Sequence, residues 1–217
     1  MNNKEAKPEF IDFLSSSVSI ELPGQEAHKK MAPILEDKIF RSFKKSKSAK
    51  PSAVLILLSG NTDDTLSILF TLRSKNINHS GQISFPGGRI EKDESATEAA
   101  LRETEEEVGI DRKVIRYVAM LSTLYVPPSD SIIQPVVAYI ENIPELKLSH
   151  DEVEEAFLIP LNKFIDETHF RKEPWNLNGL DIDVPFWDMH HSTPLWGATA
   201  MILSELIELF NIYQNRK

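Results

Sequence analysis

Three glutamates near the middle of the chain have the spacing of a metal site. Glu103, Glu106 and Glu107 stand at positions i, i+3 and i+4, so a helix would place all three carboxylates on one face. Hard divalent cations such as Mg²⁺ or Mn²⁺ relieve the repulsion within such a cluster, because they prefer oxygen ligands. Bound cations would then bridge to phosphate oxygens, polarise the phosphorus centre and activate a water. One glutamate, or another nearby base, can take the proton of that water.

The same three residues also fit a solvated acidic helix surface, which is common and needs no metal. The other side of the segment carries small side chains every four residues, at Ala96, Ala100, Thr104 and Val108. Such a face lets a helix pack tightly against a sheet. The spacing of the glutamates alone therefore leaves a metal site and an acidic surface both open.

The segments around these glutamates indicate a mixed arrangement of strands and helices. The helix is predicted to run from about Ser95 to Val108, with Gly109 at its C-terminal cap. Apolar runs of strand length lie on both sides of it. The predicted strands are Ala53–Leu58, Ser67–Leu72, Ile83–Phe85, Val114–Val126, Ile132–Ile140 and Ala156–Ile159, and two later helices are predicted from Leu161 to about Asp166 and from Leu195 to Tyr213. We therefore expect an α/β or α+β fold in which a mixed sheet has helices on both sides.

The first fifty residues are predicted to be a helical extension. Residues 8–18 and residues 25–43 both have apolar side chains at helical spacing. The charged run at residues 44–51 is closed by a proline and is typical of a linker. We therefore expect residues 1–50 to form an N-terminal helical extension with a linker, and residues 51–217 to form the main domain.

Composition and charge exclude several functions. The chain of 217 residues has 24 Lys and Arg against 33 Asp and Glu, a net charge of −9 that disfavours nucleic-acid and anionic-membrane partners. It has no cysteine, which excludes disulfides, thiolate metal sites and cysteine nucleophiles. It shows neither an apolar signal segment nor an apolar run of membrane-spanning length. We therefore expect a cytoplasmic protein.

The carboxylate segment resembles the signature motif of the Nudix hydrolase family. Gly88 is followed after five residues by Glu94 and after seven more by Arg102 and Glu103, and then come Glu106, Glu107, Gly109 and Ile110. The one departure is Thr104, where the motif usually has an aliphatic residue. The resemblance implies an α/β/α sandwich, metal binding by Glu103, Glu106 and Glu107, and Mg²⁺ or Mn²⁺ as cofactor. It also implies that Arg102 orients a glutamate and that Glu103, or a residue outside the motif, assists the base step.

The residues before this motif resemble the coenzyme A diphosphatase branch of the family. Arg73 and Ser74, followed by Gly81, Gln82, Phe85, Pro86, Gly87 and Gly88, fit its LLTxRS…GQxxFPGG signature. The resemblance implies that Arg73, Gln82, Gly87 and Gly88 bind the substrate, a coenzyme A molecule. His79 matches a histidine seen in many members, whereas Ile77 replaces an arginine that is often present, and Lys75 could compensate for that arginine.

Several alternatives remain at this stage. The substrate could instead be another nucleoside diphosphate derivative, such as ADP-ribose or a dinucleotide. The chain could also be a non-catalytic ligand-binding module, although such modules usually lose the motif carboxylates that are present here. Candidates for a general base outside the motif are Glu152, Glu154 and Glu155, which lie in an acidic stretch that equally fits a solvated loop.

Overall fold

The part of the chain that the computed structural model describes comprises residues 7–16, 21–36, 38–39, 44, 46–75, 80–177 and 179–217. Val18 and residues 40–43, at the ends of the two predicted N-terminal helices, lie outside these ranges, and so do Ile77 and His79. Within the described ranges no helix is both long enough and apolar enough to cross a membrane.

Four α-helices and two sheets are present in the described residues. The helices are α1 (Glu9–Ser15), α2 (Gly24–Lys30), α3 (Ala96–Val108) and α4 (Gly197–Gln214). The strands, in chain order, are β1 (Ile34–Leu35), β2 (Lys38–Ile39), β3 (Lys50–Ser59), β4 (Ser67–Arg73), β5 (Ile83–Ser84), β6 (Gly87–Arg89), β7 (Arg116–Met120), β8 (Leu124–Val126), β9 (Ser131–Ile140), β10 (Val153–Pro160), β11 (Phe170–Leu177), β12 (Leu180–Trp187) and β13 (Leu195–Trp196).

The larger sheet is mixed and forms the centre of the molecule. Its strand order is β10-β4-β3-β9-β7, with β5, β6 and β8 paired to β4, β3 and β9. The β3 and β9 strands are parallel, and the remaining pairs are antiparallel. Residues of β3 alternate between the two faces: Leu55 and Leu57 join one apolar cluster, whereas Ile56 and Leu58 join the other. This alternation allows helices to pack on both faces of the sheet.

Helices cover both faces of the larger sheet, which confirms the predicted sandwich. On one face the small residues Ala99 and Ala100 of α3 pack against β3 and β9. On the other face α4 packs with α1 and with the residues that follow α2. Phe10 of α1 is fully buried and meets Phe210 of α4 edge-on, with ring centroids 4.9 Å apart. The N-terminal segment therefore shares the apolar core under α4.

The predicted helix over residues 25–43 is wrong beyond Lys30, where α2 ends. Pro33 disfavours helical backbone in the residue before it and has no N–H to donate, so the chain leaves the helix. Ile34 then pairs with Asp183 of β12. This pairing belongs to a smaller sheet, of order β11-β12-β1-β2 with β13 beside β12, that the sequence analysis missed.

Two other predicted elements differ from the structure. The predicted strand Val114–Val126 is divided into β7 and β8 around Leu121. Leu121 pairs with Pro135, which accepts a hydrogen bond but has no N–H to return, so the side chain of Gln134 donates to the Leu121 carbonyl over 2.7 Å. The predicted helix after Leu161 is a short 3-10 turn that ends at Phe164.

Candidate active site

Helix α3 has a defined start and end, and these fix the position of its glutamates. At its start the Ser95 side chain accepts a hydrogen bond from the backbone N–H of Glu98, and the Glu98 carboxylate accepts one from that of Ser95. At its end Gly109 adopts φ of 74°, a left-handed conformation that favours glycine. Thr104, the one departure from the motif, is buried and donates its hydroxyl to the Ala100 carbonyl.

Three carboxylates converge beside α3, but they are not the three that the spacing selects. Glu103, Glu107 and Glu152 each place a carboxylate oxygen within 4.8 Å of the other two. Glu106 lies at the edge of the group, with 57% of its side chain exposed, and accepts a hydrogen bond from Arg102 over 3.1 Å. The structure therefore brings Glu103 and Glu107 together as predicted and adds Glu152 from another part of the chain.

Glu107 is the most deeply buried member of the group. It is 4% exposed, and its Oε2 atom has no hydrogen-bond partner among the described residues. Burial, together with the negative charges of Glu103 and Glu152, raises the pKa of its carboxyl to about 8 against the opposing charge of Arg73. A buried carboxylate with one unpartnered oxygen indicates a site for a cation.

The loop before α3 closes around the carboxylates of Glu103 and Glu107. The backbone N–H of Gly87 donates a hydrogen bond to the Glu107 carboxylate. Gly88 lies so close to the Glu103 carboxylate that a Cβ atom at this position would overlap it. The two glycines predicted to bind the substrate therefore contact the predicted metal ligands directly.

Arg102 ties the remaining motif residues together. Its guanidinium donates two hydrogen bonds to Glu94, over 2.9 and 3.0 Å, in the bidentate geometry that suits arginine. It also donates to Glu103 over 3.0 Å and to the carbonyl of Arg89 over 3.1 Å. These contacts raise the Arg102 pKa, so the group keeps its positive charge. This arrangement holds Glu103 against the loop and gives Glu94 a bracing contact with Arg102.

Glu103 itself is half-buried among acidic neighbours. Burial is the main cause that raises the pKa of its carboxyl, and the charges of Glu106 and Glu152 act in the same direction. Arg102 opposes this shift by its hydrogen bond and its charge. A divalent cation would lower the same electrostatic repulsion between the carboxylates.

Glu152 reaches the group because the loop before β10 is hydrogen-bonded to the end of α3. The backbone N–H groups of Lys147 and Ser149 donate to the carbonyls of Val108 and Glu107, each over 2.9 Å. The carbonyl of Glu152 accepts from the backbone N–H of Ser74, also over 2.9 Å. The sequence indicated that Glu152, Glu154 or Glu155 could be a general base. These backbone hydrogen bonds place Glu152, and not its two neighbours, beside Glu103 and Glu107.

The other two base candidates lie elsewhere. Glu154 is exposed on β10. Glu155 lies 3.2 Å from Nε2 of His190, outside the group of Glu103, Glu107 and Glu152. Neither residue belongs to the group of converging carboxylates beside α3.

Arg73 and Gln82, which the sequence predicts to contact the substrate, lie on two chain segments that are hydrogen-bonded to each other. Arg73 ends β4, and its charge acts on the Glu107 carboxyl and opposes the rise in the pKa of that group. The carbonyl of Gln82 accepts a hydrogen bond from the backbone N–H of Arg73 over 3.1 Å. Their predicted substrate contacts remain a prediction.

The residues present fit a hard divalent cation. Every ligand candidate in the group is a carboxylate oxygen, the donor type that Mg²⁺ and Mn²⁺ prefer. The unpartnered Oε2 atom of Glu107 supplies one buried acceptor, and Glu103 and Glu152 supply others within reach. The surrounding Arg102 and Gly87 contacts hold these ligands in place, as supporting residues do around metal sites.

Comparison with known proteins identifies the family of this chain. The family model described as NUDIX domain matches residues 49–178. Nudix hydrolase 3 of Caenorhabditis elegans is 28% identical over 225 residues, which cover 96% of this chain and 86% of that protein. A peroxisomal coenzyme A diphosphatase of the same organism is 33% identical over 128 residues, which cover 58% of this chain and 55% of that protein. The Nudix hydrolase RenU of M. smegmatis has a similar fold, with a TM-score of 0.53 at 14% identity over 75% of this chain and 86% of that one.

Residues 49–178 contain every strand of the larger sheet together with α3, the helix that carries the glutamates. The fold and this site define a hydrolase. The chain belongs to the Nudix family. It acts on diphosphates, and enzymes of this family generally require divalent metal ions.

Proposed function

We propose that this hydrolase cuts the diphosphate bond of coenzyme A and its derivatives, releasing 3′,5′-ADP and 4′-phosphopantetheine, with Mg²⁺ or Mn²⁺ as its cofactor. The carboxylate group of Glu103, Glu107 and Glu152 is the observation that supports diphosphate chemistry. The match of Arg73, Gln82 and the Gly87-Gly88 pair to the coenzyme A diphosphatase signature supports this substrate. The 33% identity to a coenzyme A diphosphatase supports it as well.

The glutamates and Arg102 have separate roles in the proposed reaction. Glu103 and Glu107, with Glu106 at the edge, would hold the metal, and Arg102 fixes Glu103 in place through their 3.0 Å hydrogen bond. When bound, the metal would supply Lewis-acid polarisation of the diphosphate and charge neutralisation. We assign Glu152 as the general base and not as a ligand, because it is the exposed member of the group and its carboxylate lies within 4.8 Å of those of Glu103 and Glu107. In this assignment Glu152 takes the proton of the attacking water.

Two basic residues beside the site are suited to the anionic substrate. Arg73 lies near Glu107 and presents a guanidinium, which matches phosphate geometry well. Lys75 is exposed two residues further along. In our proposal Arg73 contacts the diphosphate, and Lys75 contacts the 3′-phosphate that distinguishes coenzyme A from its dephosphorylated form.

A substrate panel tests this proposal. The purified chain with Mg²⁺ or Mn²⁺ is incubated with coenzyme A, acetyl-coenzyme A, dephospho-coenzyme A, ADP-ribose and diadenosine polyphosphates, and the products are identified by liquid chromatography and mass spectrometry. We expect the highest kcat/KM with the coenzyme A compounds and a product carrying both the 3′- and 5′-phosphates. Faster turnover of ADP-ribose or a dinucleotide would refute the substrate assignment and leave the hydrolase class intact.

The role of Lys75 has its own control. Lys75→Ala should reduce kcat/KM for coenzyme A and leave kcat/KM for dephospho-coenzyme A unchanged, because only the former carries the 3′-phosphate. An equal reduction with both substrates would contradict a 3′-phosphate contact.

A further inference from the structure

A second group of potential metal ligands lies where β10 meets the segment after β12. Glu155, on β10, and His190 and His191, on that segment, each offer one ligand atom, and the three atoms lie within 4.8 Å of one another. This set contains two imidazoles and one carboxylate, whereas the group beside α3 contains carboxylates alone. The two groups therefore differ in the metals that they favour.

The His190 ring is held in place by its surroundings. It stacks on Phe157, with ring centroids 4.6 Å apart and an angle of 27° between the planes. Its Nε2 atom lies 3.2 Å from a carboxylate oxygen of Glu155, and its Nδ1 atom lies 3.0 Å from the hydroxyl of Ser192. The backbone N–H of Ser192 also donates to Nδ1 over 3.4 Å, so without a metal the ring proton lies on Nε2 and faces Glu155. A cation at Nε2 would take the place of that proton, and the ring would adopt the other tautomer, in which Nδ1 donates to the Ser192 hydroxyl. Such an outer hydrogen bond commonly orients histidine ligands.

The group is open to solvent on one side. An open cavity of about 440 Å³ is lined by His190 and His191 together with His169, Lys163 and Asp188. His191 is exposed and lines this cavity, and Glu155 is partly exposed beside it, so the group is accessible to an ion from solvent. Water from the cavity can complete the coordination, as it does in zinc sites that have three protein ligands.

We propose that Glu155, His190 and His191 bind a borderline transition-metal ion such as Zn²⁺, separately from the diphosphatase site. Imidazole nitrogen and carboxylate oxygen are the ligand types that Zn²⁺ accepts, and Mg²⁺ takes oxygen ligands instead. The ion would join β10 of the larger sheet to the segment that follows β12 of the smaller sheet. A metal bound only in the folded state stabilises that state, so this ion would act as a clamp between the two sheets.

Metal retention by the full chain tests the proposal. The protein is freed of metal with a chelator, equilibrated with Zn²⁺ in a large excess of Mg²⁺ to fill the oxygen-ligand site, desalted and assayed by inductively coupled plasma mass spectrometry. We expect about one retained Zn²⁺ per chain and a higher Tm with zinc. His191→Ala and Glu155→Gln should each lose the retained zinc and the rise in Tm.

Two control variants distinguish this site from its surroundings. His169→Ala changes the same cavity but none of the three ligands, so it should keep the zinc. Glu107→Gln alters the carboxylate group beside α3 and should keep the zinc as well. The proposal is overturned if the wild-type chain retains no zinc, if His191→Ala retains as much as wild type, or if Glu107→Gln alone abolishes retention. Stabilisation by inorganic phosphate but not by zinc would instead identify an anion site and would equally overturn it.

Discussion

Gly88 is packed directly against the carboxylate of Glu103, with no room for a Cβ atom between them. The nearest atoms to such a Cβ all belong to the end of the Glu103 side chain, and none belongs to the backbone. Gly87 differs, because a Cβ there would overlap the Ala53 carbonyl and the Val54 backbone, and its φ of 152° disfavours other residues. Gly88 therefore leaves room for the Glu103 carboxylate, and Gly87 leaves room for the backbone of β3.

Alanine substitutions separate these two roles. Gly88→Ala should displace the Glu103 carboxylate and weaken Mn²⁺ binding by about 10- to 100-fold, with the free energy of unfolding changed by less than about 1 kcal/mol. Gly87→Ala should instead destabilise the fold by at least about 2 kcal/mol, because backbone atoms must move. Calorimetric titration with Mn²⁺ and thermal melting measure the two effects. Equal loss of stability in both variants would contradict this division.

Glu107→Gln tests the buried carboxylate. The charged ligand is lost, so kcat should fall at least about a hundredfold, since a catalytic metal contributes several kcal/mol. Stability without metal should be unchanged near neutral pH, because the pKa of about 8 keeps this carboxyl largely protonated and the amide has nearly the same shape. Steady-state kinetics with saturating metal measure the loss of kcat, and thermal melting with a chelator measures the stability without metal. The control is Glu105→Gln, on the same helix but paired with Arg112, which should retain activity. Unfolding of Glu107→Gln would instead favour a structural role for Glu107.

Glu152→Gln tests the proposed general base. The variant should lower kcat by about 10²- to 10⁴-fold, the usual contribution of general base catalysis, with a smaller change in KM. Glu154→Gln is the matched control, because that residue lies two positions away and is exposed. Steady-state kinetics at saturating metal measure the effect, and Glu154→Gln should keep the wild-type kcat. An unchanged kcat in Glu152→Gln would transfer the role to Glu103.

Glu205 provides a prediction about acid stability that is independent of the active site. This fully buried residue of α4 accepts hydrogen bonds from the backbone N–H groups of Gly24 and Ser122, each over 3.0 Å, and lies 3.1 Å from Nε2 of His28. Burial alone would raise the pKa of its carboxyl, but hydrogen bonds from His28 and Ser122 outweigh burial, and the pKa is lowered. Ionised Glu205 therefore stabilises the fold.

Because the pKa is lower in the folded state than in the unfolded chain, this stabilisation is complete above the ordinary glutamate value and is lost as pH falls through the folded value. Glu205→Gln should reduce the free energy of unfolding by about 2–4 kcal/mol near neutral pH, because an amide cannot accept all of these hydrogen bonds. The loss should shrink in acid. Denaturant unfolding across the pH range measures it. Glu208→Gln, a partly exposed neighbour on α4 paired with Lys30, should change the unfolding free energy by less than about 0.5 kcal/mol at every pH.

Local sequence rules were sufficient for the carboxylate helix. Ser95 and Glu98 define its start, Gly109 defines its end, and the spacing of Glu103 and Glu107 places both on one face. The central strands were also predictable, since β3 and β9 are nearly continuous apolar runs. The β11–β12 hairpin was missed, because most side chains of β11 are exposed and the strand has no apolar pattern to detect.

The sequence by itself determined the family and a row of carboxylates on one helix, because the motif and the helix depend on residues close together in the chain. The sandwich was predictable because the motif indicated the family. Only the tertiary structure decided that Glu152 joins Glu103 and Glu107 while Glu106 stays at the edge, and that Glu155 meets His190 and His191. These groupings depend on how β10 is docked by hydrogen bonds to α3 and where the chain runs after β12. Contacts between residues far apart in the chain follow from packing, and no local spacing encodes them.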